Sequence, residues 1–202
     1  MDIMKSINQA KNLIFDPKGT MEKLKMEKTS TQDIIIYLAI VGIPTFLGIF
    51  LGYGFIGWGS YGTFYGYAFG LAIVTYIFSI VGVIVFGFIL NILSDSFKTK
   101  QNQIQAMKLV AYAATPWLLL GIVNIFPAAS LISLLGGLYG LYILYIGIPI
   151  LMETPKEQHI PYFIVSIIVF IIIMGIISWL VGWIWYSMTW SYIGSYGWNY
   201  PY

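Results

Sequence analysis

The chain has 202 residues, 59% hydrophobic and 9% charged, more apolar surface than one water-soluble domain of this size can bury but a composition that a bilayer accepts. Ten basic residues, all lysine, against eight acids leave a net charge of +2, too small to point to nucleic acid. With no cysteine, disulfides, thiolate metal ligands and thiol nucleophiles are excluded.

Residues 1–33 hold eleven of the eighteen charges and form a cytoplasmic amphipathic segment. Their apolar residues are dispersed, so no cleavable signal is expected. Ile3, Met4, Ile7, Ala10 and Ile14 recur at helical spacing and predict a short helix lying on the membrane surface. Asp16-Pro17 predicts a second helix, through about Lys28, because the Asp side chain accepts from free N–H groups and Pro at the first position gives up no needed donor. Ser30 and Asp33 have capping-box spacing at the start of the next helix.

An all-α membrane bundle of five transmembrane helices follows, over residues 34–186, with spans at about 34–55, 67–93, 109–126, 129–151 and 162–185. The third and fourth form a hairpin joined at Pro127 and Ala128, with Pro116 and Pro149 inside its arms. A glycine- and aromatic-rich turn joins the first two spans, and an aromatic extracytoplasmic tail occupies 187–202. Six lysines lie in residues 1–33, three in the loop 95–108 and one in 153–160, all on one side of such a bundle. Lysine-bearing short loops stay inside, so the N-terminus is expected in the cytoplasm and the C-terminus outside, in the cell membrane. The same pattern would result from three spans and a hairpin that enters and returns.

No Asp, Glu, Lys, Arg or His interrupts 34–93, 109–151 or 162–185, which disfavours ion-coupled transport. Ser133, Gly137, Gly140 and Gly147, the Gly136/Gly140 pair and Gly48/Gly52 form small-residue stripes that suit internal helix packing, with a homodimer seam as the alternative. His159 has no second histidine to complete a metal site and reads as an ordinary interfacial residue; Asn91 and Asn124 could bond across helices. No cofactor, metal or catalytic constellation is expected.

Ala111-Tyr112-Ala113-Ala114-Thr115-Pro116, then Phe126-Pro127, and the glycine-spaced run Leu138 to Gly147 containing Gly140 resemble the Yip domain family, five-span proteins named for interaction with Ypt/Rab GTPases. Asp16-Pro17 is similar to the start of many microbial members. The resemblance implies five helices with a cytoplasmic N-terminus, and motif roles for Asp16, Pro17, Tyr112, Pro116, Pro127, Gly140 and Gly147. The all-lysine, isoleucine-rich chain looks like an archaeal or bacterial member. The expected function is a non-enzymatic membrane scaffold or adaptor, with Lys18, Lys23, Lys25, Lys98 and Lys100 available to a cytoplasmic protein partner or to membrane lipids. The alternative is a passive conduit, transporter-like or lipid-moving protein using a groove between kinked helices.

Overall fold

The computed structural model describes residues 2–56 and 65–196, all of them helix or short joints between helices. Most of the aromatic turn, residues 57–64, and the end of the aromatic tail, 197–202, lie outside the described residues. The helices are α1 (Ile3–Phe15), α2 (Pro17–Met26), α3 (Thr31–Leu51), α4 (Tyr65–Ser94), α5 (Gln103–Leu120), α6 (Ser133–Leu151) and α7 (Lys156–Tyr196).

Local chemistry starts several of them where the sequence indicates. The Asp16 side chain accepts from the Gly19 N–H at 3.0 Å with Pro17 at the first helical position of α2. α3 opens on a reciprocal capping box: Ser30 Oγ accepts from the Asp33 N–H at 3.1 Å, and Asp33 Oδ2 accepts from the Ser30 N–H at 3.0 Å. Asn102 caps α5 by accepting from the Gln105 N–H at 3.2 Å.

Five segments are long and apolar enough to cross a membrane: Thr31–Ile56, Ala68–Phe97, Gln103–Ile125, Ser133–Leu151 and Lys156–Ser187. At about 1.5 Å per residue, even the shortest reaches roughly 28 Å, so each hairpin arm matches the hydrocarbon thickness. Three details differ from the sequence reading: the fifth segment begins at Lys156 rather than 162, so that His159 lies within α7, and two more concern the hairpin. The third segment begins at Gln103 rather than Leu109, because the Asn102 cap lets polar Gln103 and Gln105 form its first turn, and Lys108 therefore lies inside α5. The hairpin joint is broader than two residues: 3₁₀ turns Gly121–Ile125 and Pro127–Ile132 flank Phe126, which delays α6 to Ser133.

α5 is the hub. Ala106 through Ala113, Thr115, Pro116 and Leu118 are all buried, with α3, α4 and α6 around it. α7, dominated by Ile, Val and Phe, sits at the edge with Ile164, Ile168, Ile171, Ile172 and Ile176 exposed. In lipid this arrangement is reasonable: tails satisfy an all-apolar helix, whereas alanines and hydroxyls gain more from another helix. Small residues set the approach. A Cβ built on Gly140 would collide with the Ala113 carbonyl oxygen, and one on Gly48 with the Gly121 carbonyl oxygen. Gly136 and Gly140, the expected pair, both face α5, while Gly137, of the longer stripe, opens into empty space. Hydroxyls bridge helices as well: Tyr37 and Thr115 share a hydrogen bond at 2.7 Å, Thr45 donates to the Leu118 carbonyl at 2.7 Å, and Tyr162 to the Leu90 carbonyl at 2.6 Å. Such bonds contribute about 0.6 kcal/mol each in membrane helices.

Candidate site at the lysine-bearing end

The amphipathic helices of residues 2–33 do not merely lie beside the bundle. Leu13, Met21 and Leu24 are buried in the same core cluster as Leu109, Val110, Ile143 and Ile148. Gly147 is part of the fit, since a Cβ there would run into Leu109 and approach Met21. α1 divides its apolar residues between two surroundings: Ala10 and Leu13 face protein, whereas Ile3, Met4, Ile7 and Phe15 are exposed.

Polar side chains complete the junction. Lys108, 1% exposed, donates from Nζ to the Leu24 carbonyl at 2.8 Å and the Glu27 carbonyl at 2.5 Å, placing an ammonium on the C-terminal carbonyls of α2. The Glu27 carboxylate pairs with Lys5 and accepts from Gln9 Nε2 at 2.9 Å, and Gln9 Oε1 accepts from the Tyr112 hydroxyl at 2.9 Å. The Tyr112 ring lies 4.3 Å from that of Tyr37, whose hydroxyl meets Thr115. The motif residues thus link three layers: Tyr112 reaches α1, and Thr115 reaches α3. Gln105 donates to the Lys25 carbonyl at 3.1 Å, and Tyr139 to the Ile14 carbonyl at 2.7 Å.

The loops between spans join the same end. Lys25 pairs with Glu153 at 3.0 Å, and Thr99 donates to Thr154 at 3.1 Å, so the N-terminal helices and the loops near 98–102 and 152–155 share one surface. Lys25, with Lys100 adding a weaker pull, holds the Glu153 carboxyl below the usual carboxylate range, and Glu27 holds the Lys5 ammonium above its ordinary value. Of the candidate contact lysines, Lys18, Lys23, Lys98 and Lys100 are exposed, whereas Lys25 is half-buried in its ion pair. Of the motif residues, Asp16 and Pro17 start α2, Tyr112 and Gly147 line the junction, Gly140 and Pro116 lie deeper in the α5–α6 contact, and Pro127 opens the second 3₁₀ turn of the hairpin joint. Among the described residues no three His, Asp or Glu side chains converge as a metal-binding group.

Sequence reasoning missed two members. Lys108 marks the end of an apolar run, which masks its internal role. His159 Nε2 lies 2.8 Å from the Tyr145 carbonyl, the acceptor that Pro149, lacking an N–H, leaves without its helical donor, and the imidazole stacks on the Tyr145 ring at 4.4 Å. The pairing makes a test. His159→Ala should cost about 1 kcal/mol in the parent chain and less in a Pro149→Ala background, where the restored N–H serves Tyr145. A double-mutant cycle with no coupling between the two positions would show that the histidine does not serve this carbonyl.

The chain matches the Yip1 domain over residues 11–180, an interval that contains Asp16-Pro17, the Tyr112–Pro116 run and both hairpin arms. It is similar to the inner membrane protein YohC of Escherichia coli strain K12 and to YohC of Escherichia coli O6:H1, in each case 30% identical over 95 residues, 46% of this chain and 49% of the relative. The chain thus spans about half the length of the curated relatives it matches. No solved structure matches. A family match over most of the length, together with five segments able to cross a bilayer, places this chain in the Yip1 domain family as a multi-pass protein of the cell membrane.

Proposed function

We propose that this protein is a non-enzymatic membrane scaffold whose lysine-bearing end faces the cytoplasm and recruits a protein partner there, with anionic lipid headgroups as a second attraction. The observation that carries the reading is the junction itself. Two helices are locked to the bundle by Lys108, Glu27 and Tyr112, yet Lys18, Lys23, Lys98 and Lys100 remain exposed on the shared surface. A fixed backbone frame presenting exposed ammonium groups suits charge-complementary docking, because the frame itself need not be ordered on binding. The exposed Ile3, Met4, Ile7 and Phe15 of α1, with Lys5 and Lys11 on the same helix, suit an adjacent leaflet surface.

Deleting residues 1–28 is a poor test, because it strips Leu13, Met21 and Leu24 from the core. Combined Lys18→Glu, Lys23→Glu, Lys98→Glu and Lys100→Glu changes only exposed positions. In-cell crosslinking followed by purification should recover a cytoplasmic neighbour with the parent chain and at least fivefold less with the variant, at equal membrane abundance. Identical recovery from both chains, or recovery of no cytoplasmic neighbour from either, would overturn the scaffold reading.

A further inference from the structure

A cleft of about 450 Å³ lies among α4, α5, α6 and α7, within the membrane-spanning segments and away from the lysine-bearing end. Its floor is Val83, Val110, Ala113 and Leu144, all buried, the exposed Leu134 forms its lip, and Phe170, half-buried against Phe86, lines it from α7. Two hydroxyls lie along it, Ser133 and Ser178, and both sit toward the hairpin-joint end. Ser133 donates to the Leu120 carbonyl at 3.3 Å, leaving its oxygen able to accept; Ser178 is exposed.

We infer that this cleft holds one acyl chain of a membrane lipid, drawn from the leaflet on the hairpin-joint side. The surface around its mouth is bilayer-facing, so the medium continuous with it is hydrocarbon rather than water. A space of this size with apolar walls forfeits dispersion contacts if empty and offers water too few partners. Depth identifies the guest. From Ser133 to Leu144 along α6 is eleven steps of about 1.5 Å, roughly 16 Å, close to half the hydrocarbon thickness of about 30 Å. A chain entering at the hydroxyl end therefore terminates at the bundle middle, with its ester region level with Ser133 and Ser178. A helix from a second copy fits less well, since about 10 Å of helix diameter would have to enter past Leu134 and Phe170.

Gly137 supplies the test. It lines the cleft, and a Cβ built there meets no atom within 4 Å, so Gly137→Phe fills the space without striking α5. The full chain is reconstituted in nanodiscs of phosphatidylglycerol carrying a photoactivatable diazirine at mid-chain, illuminated, and mapped by peptide mass spectrometry. The parent chain should be labelled at Val110 and Ala113, buried positions reached through the cleft, as well as at lipid-facing Ile168 and Ile171. Gly137→Phe should lower the α5 labelling at least fivefold and leave the α7 labelling unchanged. Leu134→Trp, covering the space from the exposed lip, should do the same and serves where Gly137→Phe fails to insert. Gly175→Phe, at another position with open space but off the cleft, should change neither. Absence of α5 labelling in the parent chain, its persistence in the filled variants, or crosslinks from α6 to a second copy in its place would overturn the inference.

Discussion

Lys108→Met should release α2 from the bundle while the five spans keep their packing. The ammonium donates to the Leu24 and Glu27 carbonyls from a site 1% exposed, and methionine retains the length of the side chain without a donor. Hydrogen bonds from a charged group contribute about 1.5–3 kcal/mol each, but the two carbonyls can recover water if α2 lifts away, so the local cost should be about 2–4 kcal/mol. Such a loss corresponds to amide exchange in α2 faster by roughly thirtyfold or more, measured by hydrogen–deuterium exchange in nanodiscs. α7, which receives neither of the Lys108 hydrogen bonds, should exchange as before. Unchanged protection in α2 would mean that Leu13, Met21 and Leu24 hold it without the lysine.

Gly140→Val should damage the α5–α6 contact far more than Gly137→Val. The built Cβ at Gly140 collides with the Ala113 carbonyl oxygen, a backbone atom that cannot rotate aside, so the two helices must part. Overpacking of this kind costs about 1–3 kcal/mol, with backbone collisions at the upper end. At Gly137, three residues earlier on the same helix, the added side chain enters open space and should cost under about 0.5 kcal/mol. Unfolding midpoints of the two variants in mixed detergent micelles would settle the matter, and equal midpoints would contradict the assigned packing. The pair isolates direction from composition, because both changes are identical in chemistry and neighbours in sequence.

The contrast also explains what was legible from the chain alone. Asp16-Pro17 and Ser30–Asp33 are signals complete within four residues, and both caps form with the expected donors. The spans follow from uninterrupted apolar runs about as long as the hydrocarbon requires or longer, so five segments emerge with only their ends displaced. The phase of a glycine stripe is different. Intervals of three and four place both Gly136 and Gly137 within reach of one helical face, and only the neighbour decides between them. Lys108 was hidden because charge at the border of an apolar run marks both a loop and a buried cap, and its acceptors lie more than eighty residues away in sequence. α1 likewise shows an amphipathic pattern that does not say whether its apolar side meets lipid or protein; here Leu13 meets protein and Phe15 does not. Exposure of Lys18, Lys23, Lys98 and Lys100 was readable, since short charged segments outside a bilayer have little else to do, whereas the pairing of Lys25 with Glu153 depended on the helices closing.

Because α5 carries its hydroxyls and alanines into the middle of the bundle, it is poorly suited to waiting alone in lipid after leaving the ribosome. By the time it emerges, α1 to α4 have already been synthesised, and they supply Leu24, Glu27, Gln9, Tyr37 and Thr45 as its acceptors and neighbours. Chain order therefore doubles as assembly order: α3 and α4 settle first, α5 threads into a berth already furnished, and α6 and α7 close over it as the last arrivals.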